Sequence, residues 1–238
     1  MSAAEKDIEH LRNGLMELRK GSLYVIIAFL LVLAGGILTA VMAYALVTGR
    51  AASIVSATPL QGPGPRGAMG SLAALAAMLA PAGIVLIIGA ILELLAWVKW
   101  RRAGEELGEY DERLRIGATG ALLVIIGFVV ALLGGIALVA SLAATGMLFA
   151  SLALLVIARI LVLVGGILFS IMLIRLGDMS STVKIAGVLM LISSILYLIN
   201  SAIGSVLFIV SAILVYIGSG DLLKQVETEI EAGTGGAS

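Results

Sequence analysis

The sequence contains no cysteine and only one histidine, so several kinds of functional site are excluded at once. Without cysteine there is no disulfide, no thiolate metal site and no thiol nucleophile. The single histidine, His10, falls in a polar N-terminal segment and cannot by itself form a histidine-based metal centre inside a membrane. Walker loops, dinucleotide-binding fingerprints and serine–histidine–aspartate sets are also missing. We therefore expect no enzyme activity, no metal site and no cofactor.

Charge is scarce as well. Charged residues are 13% of the 238 residues, against about 25% in an average soluble domain, whereas apolar residues reach 61%. A chain of this composition needs lipid as the solvent for its apolar surface. The net charge is zero, which gives no reason to expect a nucleic-acid partner. The expected partners are the lipid bilayer, further copies of the chain and other membrane subunits.

Uncharged runs of about 20 residues recur along the chain, and they are apolar on all sides rather than alternating, which argues against a β-barrel. A helix satisfies its own backbone hydrogen bonds in lipid. We therefore predict an all-α fold, a polytopic membrane bundle of six transmembrane helices paired as three hairpins. The spans are expected at residues 21–47, 70–98, 116–143, 147–174, 183–199 and 203–220.

Polar segments flank this predicted transmembrane domain of residues 21–220. Residues 1–20 are expected to form a cytoplasmic amphipathic N-terminal helix, because Ile8, Leu11, Leu15 and Leu18 are spaced as one helical stripe. Residues 221–238 are expected to form a cytoplasmic tail whose last six residues are disordered.

Three connections between the spans are predicted from turn-forming residues and from length. Residues 49–69 contain three prolines and four glycines and are expected to form an irregular loop, and a tight turn is expected at Thr145-Gly146. Residues 185–220 are uncharged and would make one helix of about 54 Å. The hydrocarbon core is only about 30 Å thick, so this stretch should break between Asn200 and Gly204. Pro81 should either kink the second span or separate a short helix from it.

The distribution of basic residues predicts the orientation in the cell membrane. Six spans place twelve lysines and arginines on the side of the two termini and only Arg50 and Arg66 on the other side. Basic residues are retained in the cytoplasm, so both termini should be cytoplasmic. Trp97 and Trp100 flank Lys99 and are expected in the interfacial aromatic belt.

Residues 25–37 match residues 124–136 at eight of thirteen positions, at an offset of 99. Either biased composition or duplication of a two-helix unit in parallel orientation would explain the match. The small residues in these and later spans should allow close helix packing, with a pore or ligand lining as the alternative. The candidates for this packing role are Gly35, Gly36, Gly127, Ala131, Gly135, Gly165 and Gly166.

Apart from Lys184 at the very start of the fifth span, two charged residues fall inside predicted spans. Arg159 lies deep in the fourth span, where an arginine is costly. It is either a site for an anion or an acidic partner, or a structural residue that snorkels outward or ties helices together through carbonyls and hydroxyls. Glu93 is the only acid within a span and should contact Lys99 or a cytoplasmic vestibule. A Glu93–Arg159 pair would require tilt, because their expected depths differ by about 15 Å.

The segment Leu11 to Ser22 leads directly into an Ile/Leu/Gly-rich span, and the segment Ile209 to Asp221 contains Tyr-Ile-Gly-Ser-Gly. These features resemble an uncharacterised archaeal family of multi-pass membrane proteins, known only as a domain of unknown function. The resemblance covers nearly the whole chain, and it implies no activity and no site residue.

Two functions are consistent with the sequence. The first is a non-enzymatic scaffold or accessory subunit that acts through helix packing and its cytoplasmic face. The second is a small transporter or channel that uses Arg159 and Glu93, with Pro81 as a candidate kink.

Overall fold

The computed structural model describes the backbone of residues 3–47, 65–141 and 148–235, and the side chains of residues 6–44, 80–141 and 148–231. Most of the predicted loop at 49–69 and the whole predicted turn at Thr145-Gly146 lie outside the described residues. Residues 65–69 of that predicted loop are helical.

The described backbone is helical almost throughout, and six of its helices are long and apolar enough to cross a membrane. This confirms the all-α fold class and the number of long helices. The helices are α1 (Ala3–Val47), α2 (Pro65–Tyr110), α3 (Ile116–Ser141), α4 (Leu148–Leu176), α5 (Ser181–Ile199) and α6 (Ser201–Gly235), with a 3₁₀ turn at Glu112–Leu114.

The polar flanks are continuations of these helices rather than separate pieces. α1 begins at Ala3, and Leu11, Leu15 and Leu18 are buried, so the predicted apolar stripe packs while the helix continues unbroken into the apolar run. α6 likewise continues to Gly235, so the expected disorder from residue 233 is wrong for residues 233–235. Packing of the apolar stripe against a neighbouring helix stabilises the longer helix, because the apolar side chains of the stripe are buried.

α2 also continues through Pro81, so the proline does not separate two helices. The third hairpin breaks at Asn200, within the predicted interval, and the asparagine connects α5 to α6.

The chain divides into two compact units, one formed by Met1–Ile26 with Glu93–Ser238 and the other by Ile27–Leu92. Within the smaller unit, Gly35 lies against Leu86 and Gly89 lies against Val32. The larger unit contains the main hydrophobic core. Its largest fully buried side chains are Trp100, Phe169, Leu15, Leu18, Leu107 and Met172.

Charged segments gather at one end of the larger unit. His10 Nδ1 lies 2.9 Å from Glu106 Oε2, and an Arg12 nitrogen lies 3.8 Å from a Glu227 oxygen. The start of α1, the end of α2 and the end of α6 therefore meet. We call this end the polar head and describe positions farther from it along the helices as outward. The polar head comprises residues 6–20, 99–115, 175–184 and 221–231.

The hairpins α1–α2 and α3–α4 repeat the same contacts at constant sequence offsets. Within the larger unit, Gly21 lies against Trp100 and Gly120 lies against Phe169. An offset of 99 relates the two glycines, and an offset of 69 relates the two aromatic residues. The same offsets relate the Gly35–Leu86 contact of the smaller unit to the contact of Gly134 with Leu155 in α3–α4. This regularity supports hairpin duplication rather than biased composition as the origin of the sequence match.

The contacts between consecutive hairpins repeat as well. Gly104 of α2 packs on Ala118 of α3, and at an offset of 69 Leu173 of α4 packs on Gly187 of α5. The α6 residue that corresponds to Gly104 and Leu173 is Tyr216, and the α1 residue that corresponds to Ala118 and Gly187 is Arg19. The Arg19 guanidinium lies 4.8 Å from the centre of the Tyr216 ring. Within the larger unit, the contacts therefore run from hairpin to hairpin in a closed cycle.

Candidate functional site

Arg159 lies on the surface of α4, and no described residue forms a hydrogen bond or ion pair with it. Its neighbour Ala158 is buried, with its carbonyl 3.0 Å from where a Cβ on Gly127 would lie. The side of α4 that packs on α3 is thus next to Arg159 but does not include it. The guanidinium is available to a group from outside the described chain.

Glu93 is half-buried on α2, and no described residue forms a hydrogen bond or ion pair with it. The expected contact with Lys99 is wrong, because Lys99 Nζ lies 2.9 Å from Glu17 Oε2 instead. Glu17 lies on α1, which runs beside the end of α2, and its carboxylate also accepts from Lys20 Nζ at 3.2 Å.

Glu93 and Arg159 also do not form an ion pair with each other. The ring centres of Trp97 and Phe169 lie 5.6 Å apart, which sets a common level on α2 and α4. Glu93 is four residues outward from that level and Arg159 is ten, so they differ in depth by about 9 Å. The structure therefore leaves two separate charges rather than one charge pair.

Four of the seven small residues singled out in the sequence lie at close helix contacts. Gly35 lies against Leu86, Gly127 against Val162, Gly165 against Gly120, and Gly166 against Ser194. At Gly36 and Gly135, an added Cβ would meet no described atom within 4 Å, and Ala131 is half-buried.

The buried glycine beside Gly135 is Gly134, which sequence reasoning missed. Two adjacent glycines point about 100° apart on a helix, so only one of a Gly-Gly pair can face a given partner.

Trp97 and Trp100 form a buried aromatic cluster, so their predicted place in an interfacial belt is wrong. Trp100 is fully buried and Trp97 is 5% exposed. The Trp100 ring stacks on Phe169 at 4.8 Å between centres, and Trp97 stacks on Phe208 at 6.1 Å. The Trp100 indole donates to the Leu18 carbonyl at 3.1 Å, which satisfies its only polar group inside the core. α1, α2, α4 and α6 are held together at this level.

A groove of about 280 Å³ opens on the polar head between α1 and α2. Arg102 lies on its rim and forms no hydrogen bond or ion pair with a described residue. The acids of the groove are paired within the polar head, so Arg102 is the charge left to bind an acidic group from outside the described chain. Its lining residues are Asn13, Met16, Glu17, Arg102, Glu105 and Glu106.

The chain belongs to the family described as "Protein of unknown function (DUF973)", whose model matches residues 12–235. The expected resemblance to an uncharacterised domain family is thereby confirmed. No match was found among the curated proteins or the solved structures compared with the chain.

Proposed function

We propose that this chain is a multi-pass protein of the cell membrane, with both termini in the cytoplasm, that acts as a non-enzymatic scaffold or accessory subunit. The observation that carries this proposal is the aromatic cluster of the larger unit. Trp97, Trp100, Phe169 and Phe208 occupy the interior at one level, at the outward edge of the polar head. Interior packing of this kind favours a rigid platform over a solute path at that level.

The polar head supports the cytoplasmic half of the proposal. Basic residues are concentrated in it, and the ion pairs of Glu17, His10 and Arg12 hold its helices in place. The groove beside Arg102 is the surface we assign to a partner, either a further copy of the chain or another membrane subunit. The reason is that Arg102 has no partner among the described residues, whereas the acids of the groove are already paired with Lys99, Arg101 and His10.

A small transporter or channel is the competing proposal, and Glu93 is the observation in its favour. An acid within an apolar span is costly, and Glu93 has no compensating partner among the described residues. An alternating contact with a transported cation or proton would explain why it is kept there. Arg159, exposed on α4, would then be the second charged residue of the path.

Flux measurements separate the two proposals. The purified protein is reconstituted alone into vesicles, and ion and solute flux is compared for wild type, Glu93→Gln, Arg159→Leu and the control Gly135→Ala. The scaffold proposal expects background flux from all four, together with a stoichiometric complex from native membranes that Arg102→Glu disrupts. Wild-type flux that Glu93→Gln or Arg159→Leu abolishes, while Gly135→Ala retains it, would rule out the scaffold.

Orientation is tested independently by cysteine labelling, which is clean because the chain has no native cysteine. A cysteine in place of Gly62 should react with an impermeant reagent in intact cells. A cysteine in place of Glu105, on the polar head, should react only after the cells are opened. The reverse pattern would place the polar head outside and overturn the orientation.

A further inference from the structure

Arg159 lies at the level where the neighbouring hairpin ends. Gly166 of α4 contacts the Ser194 side chain of α5. The two helices run antiparallel, so residue numbers fall in the outward direction on α4 and rise in the outward direction on α5. Equal numbers of residues counted outward from this contact therefore reach the same level on both helices. Seven residues outward from Gly166 is Arg159, and seven residues outward from Ser194 is Ser201, the first residue of α6.

Arg159 also lies on the side of α4 that faces α5. Seven residues make nearly two full turns, so Arg159 and Gly166 are only about 20° apart around the helix axis. α5 ends at Ile199, whereas α4 continues outward for eleven residues beyond Arg159 to Leu148, or about 16 Å. We call the exposed side of α4 beyond the end of α5, with Asn200 and Ser201 at its base, the notch.

The hairpin repeat shows that the notch is particular to this place. α3 extends 23 residues beyond Ala118, whereas α5 extends only 12 residues beyond the corresponding Gly187. The positions that correspond to Arg159 in the other two hairpins are Ala90 and Ala202. The shared packing therefore does not require an arginine here.

The polar groups at the base of the notch are hydrogen-bond donors. Asn200 Oδ1 accepts from the backbone nitrogens of Ala202 and Ile203 at 3.0 and 3.2 Å, so it caps α6 and is occupied. The Asn200 amide nitrogen and the Ser201 hydroxyl have no partner among the described residues, and both residues are exposed. Together with the Arg159 guanidinium they present a cation and two neutral donors, which suit an anion.

The length of the third hairpin indicates where that anion comes from. From Lys184 in the polar head to Ile199 is 15 residues, or about 22 Å along the helix. A bilayer core is about 30 Å thick, and a bilayer thins locally around a short apolar element. Thinning beside α5 and α6 would bring the phosphates of the far leaflet down to the notch.

We propose that the notch binds the phosphate of a lipid in the leaflet opposite the polar head, with Arg159 as the principal contact. The guanidinium matches a phosphate in a two-point hydrogen-bonded geometry, which explains why an arginine rather than a lysine serves here. This inference rests on the proposed insertion into a membrane and is independent of the choice between scaffold and transporter.

The test is titration of the detergent-solubilised full-length protein with phosphatidylglycerol, followed by native mass spectrometry. Wild type is compared with Arg159→Leu and with the double variant Arg159→Leu/Ala90→Arg, which restores the charge at the corresponding position of the first hairpin. We expect one phosphatidylglycerol to bind wild type about tenfold more tightly than either variant. Diacylglycerol with the same chains, which lacks the phosphate, should bind all three proteins alike.

Two results would overturn the proposal. The first is equal phosphatidylglycerol affinity of wild type and Arg159→Leu, including the case in which Arg159→Leu instead loses an acidic membrane partner. The second is recovery of affinity in the double variant, which would mean that any added cation suffices. A melting curve for each variant checks that it is folded. If wild type binds neither lipid, the phosphate site is overturned as well, and the cysteine-labelling test decides the membrane assignment separately.

Discussion

The second and third hairpins both pack closely at glycine, but the third adds serine hydrogen bonds across its interface. In α3–α4, backbone meets backbone at glycine, and a Cβ added to Gly165 would lie 2.5 Å from the Gly120 carbonyl oxygen. In α5–α6, serine hydroxyls cross the interface. Ser193 donates to the Gly204 carbonyl at 2.8 Å, and Ser211 donates to the Ala186 carbonyl at 2.7 Å.

The difference shows how the same two-helix unit can be repeated with helices of unequal length. Lipid supplies no hydrophobic force between helices, so association depends on packing contacts and interhelical hydrogen bonds. The long second hairpin has room for contacts from Gly120 outward to Gly134. The short third hairpin has fewer turns available, and each serine bond adds a directional link within that shorter contact.

The largest effect is expected from Gly165→Ala. The added methyl would press on the Gly120 backbone, which cannot rotate away, and overpacking of this kind costs about 1–3 kcal/mol. The melting temperature, followed in detergent by tryptophan fluorescence, should fall by several degrees. Gly135→Ala is the matched control, since no described atom lies within 4 Å of its Cβ position. Equal melting of the two variants would show that glycine contact does not hold the second hairpin together.

A smaller loss is expected from Asn200→Ala, at the turn of the third hairpin. The substitution removes the cap on the Ala202 and Ile203 nitrogens, which is worth about 1 kcal/mol. Ser180→Ala is the control, because Ser180 precedes α5 without a side-chain capping bond. Amide hydrogen exchange at the start of α6 should accelerate in the asparagine variant and stay unchanged in the serine variant. No acceleration would mean that the short hairpin does not depend on its cap.

The smallest loss is expected from Ser211→Ala. A hydrogen bond between membrane helices contributes about 0.6 kcal/mol on average, and the substitution removes one such bond. Ser170→Ala removes an equally buried hydroxyl that bonds to Gly166 within its own helix, so it should lower the melting temperature less. If the two variants melt together, serine bonding across the interface does not distinguish the third hairpin from the second.

Much of this fold could be predicted from apolar periodicity and from length. The burial of Leu11 and Leu15 follows from helical spacing, because one side of a helix repeats every three or four residues. The break near Asn200 follows from the mismatch between the uncharged stretch and the thickness of a bilayer. Both arguments use local sequence alone, which is why they succeed.

The remaining features depend on which helix lies beside which, and local sequence does not specify that. Tryptophans beside Lys99 are typical of an interface, but α4 and α6 supply Phe169 and Phe208 and bury them. Lys99 was expected near Glu93 on its own helix, and it contacts Glu17 because α1 runs alongside.

One sequence signal could have revealed the full three-part repeat. A glycine followed by an acid occurs at 108–109 in α2, at 177–178 directly after α4 and at 220–221 in α6, which are corresponding positions of the three hairpins.

The closed cycle of contacts in the larger unit has a consequence for biosynthesis. Arg19 reaches Tyr216 across 197 residues of sequence, so α1 is made and inserted long before the helix that completes its surroundings exists. Contacts of such separation pay a high loop-closure entropy and form late. The start of α1 therefore stays partly exposed until α6 has been synthesised. The contacts that close the polar head can therefore form only after the chain has been translated through α6.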